Sequence, residues 1–171
     1  MENFSGLTPE EKARLLELEK SVALDKAKPV IKKDFLSFVK YVWPEFIEGS
    51  HHKKINKKFN DLAQGKIKRL IINMPPRHTK SEFASYLLPA WMVGLDPRLK
   101  IIQATHTADL AVDFGRKTKN LVDQPNYKEL FDTRLMEDSQ AAGKWKTEQG
   151  GEYFAAGVGG AITGRGADLL I

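Results

Sequence analysis

Cysteine is absent from the 171 residues, which excludes both a disulfide framework and a thiolate metal site. His51-His52 has no second histidine pair or carboxylate at ligand spacing, so an imidazole metal centre is not expected either. No apolar run approaches the roughly 20 residues needed to cross a bilayer. Met1 to Gly6 lacks the basic patch and apolar stretch of a secretory signal. Together these absences predict a cytoplasmic chain without a membrane segment. Internal repeats and low-complexity tracts are also missing. What is there is globular: 42% hydrophobic and 29% charged residues, enough for one domain with a sizeable core. A net charge of +5 fits a partner rich in phosphate, although many basic proteins bind no nucleic acid.

Helical signals dominate the first 64 residues. Thr8-Pro9-Glu10-Glu11 has the form of a capping box, with proline at the first helical position, and predicts a helix through about Val22. Pro29 is expected to break the charged stretch Lys26 to Lys33. Asp34 then caps a helix whose Phe35, Leu36, Val39 and Val42 share a face, ended by Pro44. Ile55, Phe59 and Leu62 mark a third helix from His51 to Ala63, stopped by Gly65 and carrying a basic face of Lys53, Lys54, Lys57 and Lys58.

From residue 65 the pattern alternates. Leu70 to Met74 reads as a strand buried on both faces, and Ser81 to Val93 as a helix stopped by Gly94. Lys100 to Thr105 reads as a second buried strand, followed by a helix capped by Thr107 with Leu110, Phe114 and Leu121 on one face. Gln124 to Glu148 is expected to be irregular apart from a short helix near Tyr127 to Phe131. Strands are predicted at Glu152 to Ala156 and at Ala167 to Ile171, with a glycine-rich loop between them. The expectation is an α/β fold in two regions: residues 1–64 helical, and 65–171 the start of a parallel sheet flanked by helices.

The segment that carries chemistry joins the first predicted strand to its helix: Pro75-Pro76-Arg77-His78-Thr79-Lys80-Ser81. A phosphate-binding loop needs this setting, because backbone N–H groups must converge on an anion at a helix N-terminus while a lysine reaches the terminal phosphates. Lys80 occupies the lysine position, and the Ser81 hydroxyl the position that holds Mg²⁺. In the common pattern G-x-x-x-x-G-K-[ST], Met74 and Thr79 stand where the glycines belong. Thr79 therefore calls for an ordinary backbone conformation or for strain. The prolines remove two donors and leave the N–H groups of Arg77 through Ser81. Taken alone, the competing interpretation is an ordinary strand-to-helix turn with a solvated lysine.

Lys68 through Glu82 resembles the deviant Walker A region of the large terminase subunits of tailed bacteriophages, in which a strand runs into Pro-Pro-Arg-His-Gly-Lys-Ser. Ile102 to Ala111 and Thr163 to Ile171 resemble two further stretches of that family in the same order, so the likeness runs from about residue 34 to Ile171. It implies an ASCE/RecA-like P-loop NTPase core and the ATP-binding part of a viral DNA-packaging motor. ATP and Mg²⁺ would be its cofactors, held by Pro76, Arg77, His78, Thr79, Lys80 and Ser81. Double-stranded DNA, the portal protein, the small terminase subunit and sister copies in a ring would be its partners, in the host cytoplasm at the procapsid portal. Arg77 resembles the family's in-cis arginine, and the aromatic segment Tyr41 to His52 lies where the family places adenine contacts. Arg165 is a candidate to act in trans on a neighbouring subunit, the competing role being a turn-stabilising ion pair. Asp168, at the start of its strand, is expected to pair with Arg165 rather than to serve as the Walker B acid. The family's acids follow that strand, so these 171 residues are expected to hydrolyse ATP barely or not at all. A helicase-like or other P-loop NTPase, and a basic interaction module without ATPase activity, are the alternatives.

Overall fold

Thr8 starts the first helix as its neighbours require. Its hydroxyl accepts from Glu11 N–H at 3.3 Å while its own N–H donates to the Glu11 carboxylate at 2.8 Å. In the computed structural model, which describes residues 8–160 and 162–171, this helix (α1) runs from Pro9 to Lys33. The Met1 to Gly6 stretch inspected for a signal lies outside the described residues. Pro29 does not break α1, contrary to expectation. The turns around it are held by tertiary packing: Ile31 is buried, Leu24 and Ala27 lean on the same core, and Trp91 Nε1 donates to the Lys32 carbonyl at 3.1 Å. Packing of this kind overrides a local breaker.

Asp34 caps α2 (Phe35–Val42), and α3 (Ser50–Ala63) crosses beside it. Phe35 is fully buried and meets Phe59, Phe83 and Trp91 edge-on at 4.9, 5.3 and 5.6 Å. It therefore ties the N-terminal helices to the helix that follows the Pro75–Ser81 loop. That helix opens at Lys80, passes through a π-helical stretch, Glu82–Leu87, and continues as α4 (Leu88–Leu95). The wide turn has a local cause. Pro89 has no N–H and its ring would collide with the Ser85 carbonyl in a regular α-helix, so the preceding turn expands, with Leu88 N–H bonding to Phe83. Gly94 does not stop the helix. A side chain there would meet the Phe131 ring at 2.6 Å, so its smallness serves packing.

Among the described residues the sheet has five strands in the order β2-β3-β4-β1-β5: β1 (Lys100–Thr105), β2 (Leu135–Ala141), β3 (Lys144–Thr147), β4 (Glu152–Gly157) and β5 (Leu169–Leu170). β1 pairs in parallel with β4 and β5, while β2 and β3 form an antiparallel hairpin on the β4 edge. The sheet is thus mixed rather than wholly parallel. Helix α5 (Ala108–Asp123) packs on β4 and β1, and the short α6 (Pro125–Leu130) follows it. Of the α5 positions read as one buried face, Phe114 and Leu121 are buried but Leu110 is largely exposed.

The predicted strand at Leu70 to Met74 is not part of the sheet. Its side chains alternate between half-buried (Leu70, Ile72, Met74) and exposed, with Ile71 86% exposed. A cavity of about 590 Å³ lies between this segment and β5, lined by Leu70, Ile72, Lys80, Ser81, Leu169 and Ile171. An extended apolar run becomes a strand only when a neighbour supplies its hydrogen bonds, and this run faces the cavity. β5 is short and half exposed rather than buried, since Leu169 is covered and Leu170 is 67% exposed.

Candidate anion-binding loop

Two prolines bring the chain out of the extended segment, and a turn at Pro76-Arg77 followed by a bend at His78-Thr79 leads into the helix at Lys80. Arg77 (φ 61°) and Thr79 (φ 59°) both lie in the left-handed region, whereas His78 and Lys80 do not. Alternation of hand along successive residues turns their N–H groups toward one side and forms a concavity that binds anions. Thr79 O accepts the first helical bond, from Phe83 N–H at 2.9 Å. The N–H groups of the first helical turn therefore have no partner within the helix, and they add a partial positive charge to the same place.

Non-glycine residues pay about 1–2 kcal/mol for the left-handed conformation, and a β-branched threonine is an outlier there. Such strain persists where surrounding contacts fix it. Here His78 Nδ1 donates to the Pro76 carbonyl at 2.8 Å, and Thr79 Oγ1 donates to the His78 carbonyl at 2.6 Å. His52 Nε2 lies 2.8 Å from Thr79 Oγ1. The strained alternative anticipated for Thr79 is the one found. Arg77, His78, Lys80 and Ser81 are exposed, with Lys80 Nζ 3.5 Å from the Met74 carbonyl. The fold thus brings Pro76 through Ser81 into one loop.

It does not bring Arg165 to that loop. The guanidinium donates to Glu152 at 2.7 Å and lies 3.9 Å from the centre of the Phe154 ring. Glu152 pairs with Lys100 at the N-terminal ends of β4 and β1. The expected pairing of Arg165 with Asp168 is also replaced. Asp168 instead accepts from Lys100 N–H at 2.8 Å, while its own N–H bonds to the Lys100 carbonyl. Glu152 competes for the guanidinium because β4 holds it across the strand ends, with Phe154 adding a face for the cation.

Behind the loop stands an aromatic wall. Phe46 packs on Trp43 at 5.4 Å, on His52 at 4.7 Å and on Phe83 at 5.5 Å. Trp43 is half-buried, and Tyr41 donates its hydroxyl to the Asn126 carbonyl. The polar contacts that sequence inspection missed are made from α3, at i, i+4 and i+8. His52 contacts the loop, while Asn56 and Asn60 accept from Leu36 and Phe35 N–H and donate to Asp34, at 2.7 to 3.0 Å. The signal was present as three polar residues in register beside the apolar stripe Ile55–Phe59. Burial, with the neighbouring His51 and His78 rings, holds the His52 imidazole below its usual range, against the pull of Glu48. No group of three or more histidine, aspartate or glutamate side chains able to hold a metal occurs among the described residues, and no helix among them is long and apolar enough to cross a membrane.

No family model, curated protein or solved structure matches this chain.

Proposed function

We propose that the Pro75–Ser81 loop binds the phosphates of Mg-ATP and that this chain is the ATP-binding part of a viral DNA-packaging motor of the terminase type. The observation that carries the nucleotide assignment is the alternating sign of φ from Arg77 to Lys80 at the start of a helix. The exposed Lys80 ammonium and Ser81 hydroxyl at the same helix start support this reading, since a polyphosphate site calls for a cation and an Mg²⁺-binding hydroxyl there. Ser81 would hold Mg²⁺, which spreads phosphate charge when bound. The exposed Arg77 guanidinium, with no acidic partner among the described residues, is the side chain suited to a transferring phosphoryl group. Arg165 has its own acidic partner, so a role in trans would require it to leave Glu152.

Packaging is the more specific part of the proposal and rests on the three ordered stretches that resemble terminases. The exposed lysines of α3, Lys53, Lys54, Lys57 and Lys58, form the face suited to duplex DNA. Titration with Mg-ATP tests the nucleotide assignment directly. Lys80→Ala should weaken binding by about 100-fold or more, since charge-assisted contacts to phosphate are lost. Its melting temperature should match wild type, because Lys80 is exposed. Unchanged affinity in that variant would remove the assignment. Salt-dependent duplex binding that is lost on neutralising the four lysines would support the DNA face. A helicase-like role would instead show as a preference for single strands.

A further inference from the structure

We propose that His52 is a positioning residue for the loop: by donating Nε2–H to Thr79 Oγ1 it holds residue 79 in the left-handed conformation that a glycine would adopt unaided. The inference rests on the nucleotide-binding role proposed above for its consequence, while its structural part can be measured separately.

The directions of the hydrogen bonds are fixed by chemistry. Gly49 N–H can only donate, and it lies 2.8 Å from His52 Nδ1, so Nδ1 carries no proton. The proton of the neutral ring is therefore on Nε2, which faces Thr79 Oγ1 at 2.8 Å. The threonine hydroxyl spends its own proton on the His78 carbonyl. One chain of donors thus runs from Gly49 through His52 and Thr79 to His78, with a single polarity throughout. A hydroxyl held from both sides in this way fixes χ1 of a residue whose side chain is already stiff.

His52 is itself held firmly. It is 5% exposed and packed between the rings of Phe46 at 4.7 Å and Phe83 at 5.0 Å. Phe83 lies in the helical turn that leaves the loop, so the same imidazole braces the loop through a hydrogen bond and its exit helix through packing. Asn56 and Asn60, one and two turns further along α3, bind the start of α2 and fix the helix that carries His52. The contact also comes from outside the loop, 27 residues away in sequence. It can therefore bias the loop backbone without belonging to the phosphate cradle.

Two substitutions separate this role from simple packing. Asparagine at 52 keeps an acceptor near the Nδ1 position for Gly49 N–H but falls short of Thr79; glutamine places an N–H near the Nε2 position. Backbone hydrogen exchange at residues 77–81 and Mg-ATP affinity would be measured for wild type, His52→Asn, His52→Gln, Thr79→Gly and the double variant His52→Asn/Thr79→Gly. Expected results are faster loop exchange and about tenfold weaker binding for His52→Asn, corresponding to one lost hydrogen bond. Substantial recovery is expected in His52→Gln, and the double variant should bind as Thr79→Gly does. Equal losses in the asparagine and glutamine variants, or an undiminished loss in the glycine background, would overturn the inference while wild-type binding leaves the nucleotide role standing. Failure of wild type to bind Mg-ATP would overturn the nucleotide role, and unchanged loop exchange in His52→Asn would overturn the positioning role whether or not nucleotide binds.

Discussion

Asp34→Ala should be among the most damaging single substitutions outside the apolar core. The Asp34 carboxylate accepts from Ser37 N–H and Ser37 Oγ, each at 2.8 Å, and from the side-chain amides of Asn56 and Asn60, each at 2.7 Å. Alanine removes an N-cap, at about 1 kcal/mol. It also removes hydrogen bonds to a charged acceptor, at about 1.5–3 kcal/mol before water compensates at a half-buried site. A net loss of roughly 2–4 kcal/mol is expected, or about 5–15 °C in melting temperature for a domain of this size. Because Asn56 and Asn60 also accept from the first N–H groups of α2, the loss should exceed that of an isolated cap. Urea titration followed by far-UV circular dichroism reads it. A change under 0.5 kcal/mol would mean that the α2–α3 junction is not knotted as described, and would remove the support on which His52 rests.

Acid should expose the same junction. Burial pushes the Asp34 carboxyl up, but the hydrogen bonds from Asn56, Asn60 and Ser37 outweigh it and hold it below the usual carboxylate range. Its stabilising contribution is therefore complete above about pH 4, the unfolded value, and is lost as pH falls through the lower folded value. Wild type should lose more stability than Asp34→Ala between pH 5 and pH 2, and parallel curves would contradict this sign. Arg77→Gly should have opposite effects on fold and function. Relief of the left-handed strain, about 1–2 kcal/mol less the entropic cost of glycine, should stabilise by about 0.5–1 kcal/mol, while nucleotide turnover in an intact motor should fall by orders of magnitude. A destabilised variant with full turnover would refute both parts.

Local signals were legible in the sequence and non-local ones were not. Thr8, Asp34 and Thr107 announce helix starts because each cap bonds to backbone only three residues away. The loop residues were found together because they are contiguous. The Leu70–Met74 run has the composition of a buried strand, but a strand requires a neighbour, and the partnerless segment borders a cavity instead. The hairpin β2–β3 escaped notice because Met136 to Ala141 is half-buried or exposed throughout, leaving no alternation to read. Pro29 and Gly94 were read by their local habits, whereas contacts from far along the chain, Trp91 on the Lys32 carbonyl and the Phe131 ring against Gly94, decide their roles. Arg165 has two carboxylates within reach in the chain, and only the sheet register reveals that Glu152 takes it. The His52–Thr79 contact joins residues whose relation appears only once α3 is laid beside the loop.

The most direct measurement is the position of the triphosphate in a Mg-ATP complex of this protein, by crystallography or by amide shifts assigned along the loop. The β- and γ-phosphates should lie against the N–H groups of Arg77 through Ser81 with the Lys80 ammonium beside them. A triphosphate bound elsewhere, or a loop unaltered at saturating nucleotide, would contradict the account.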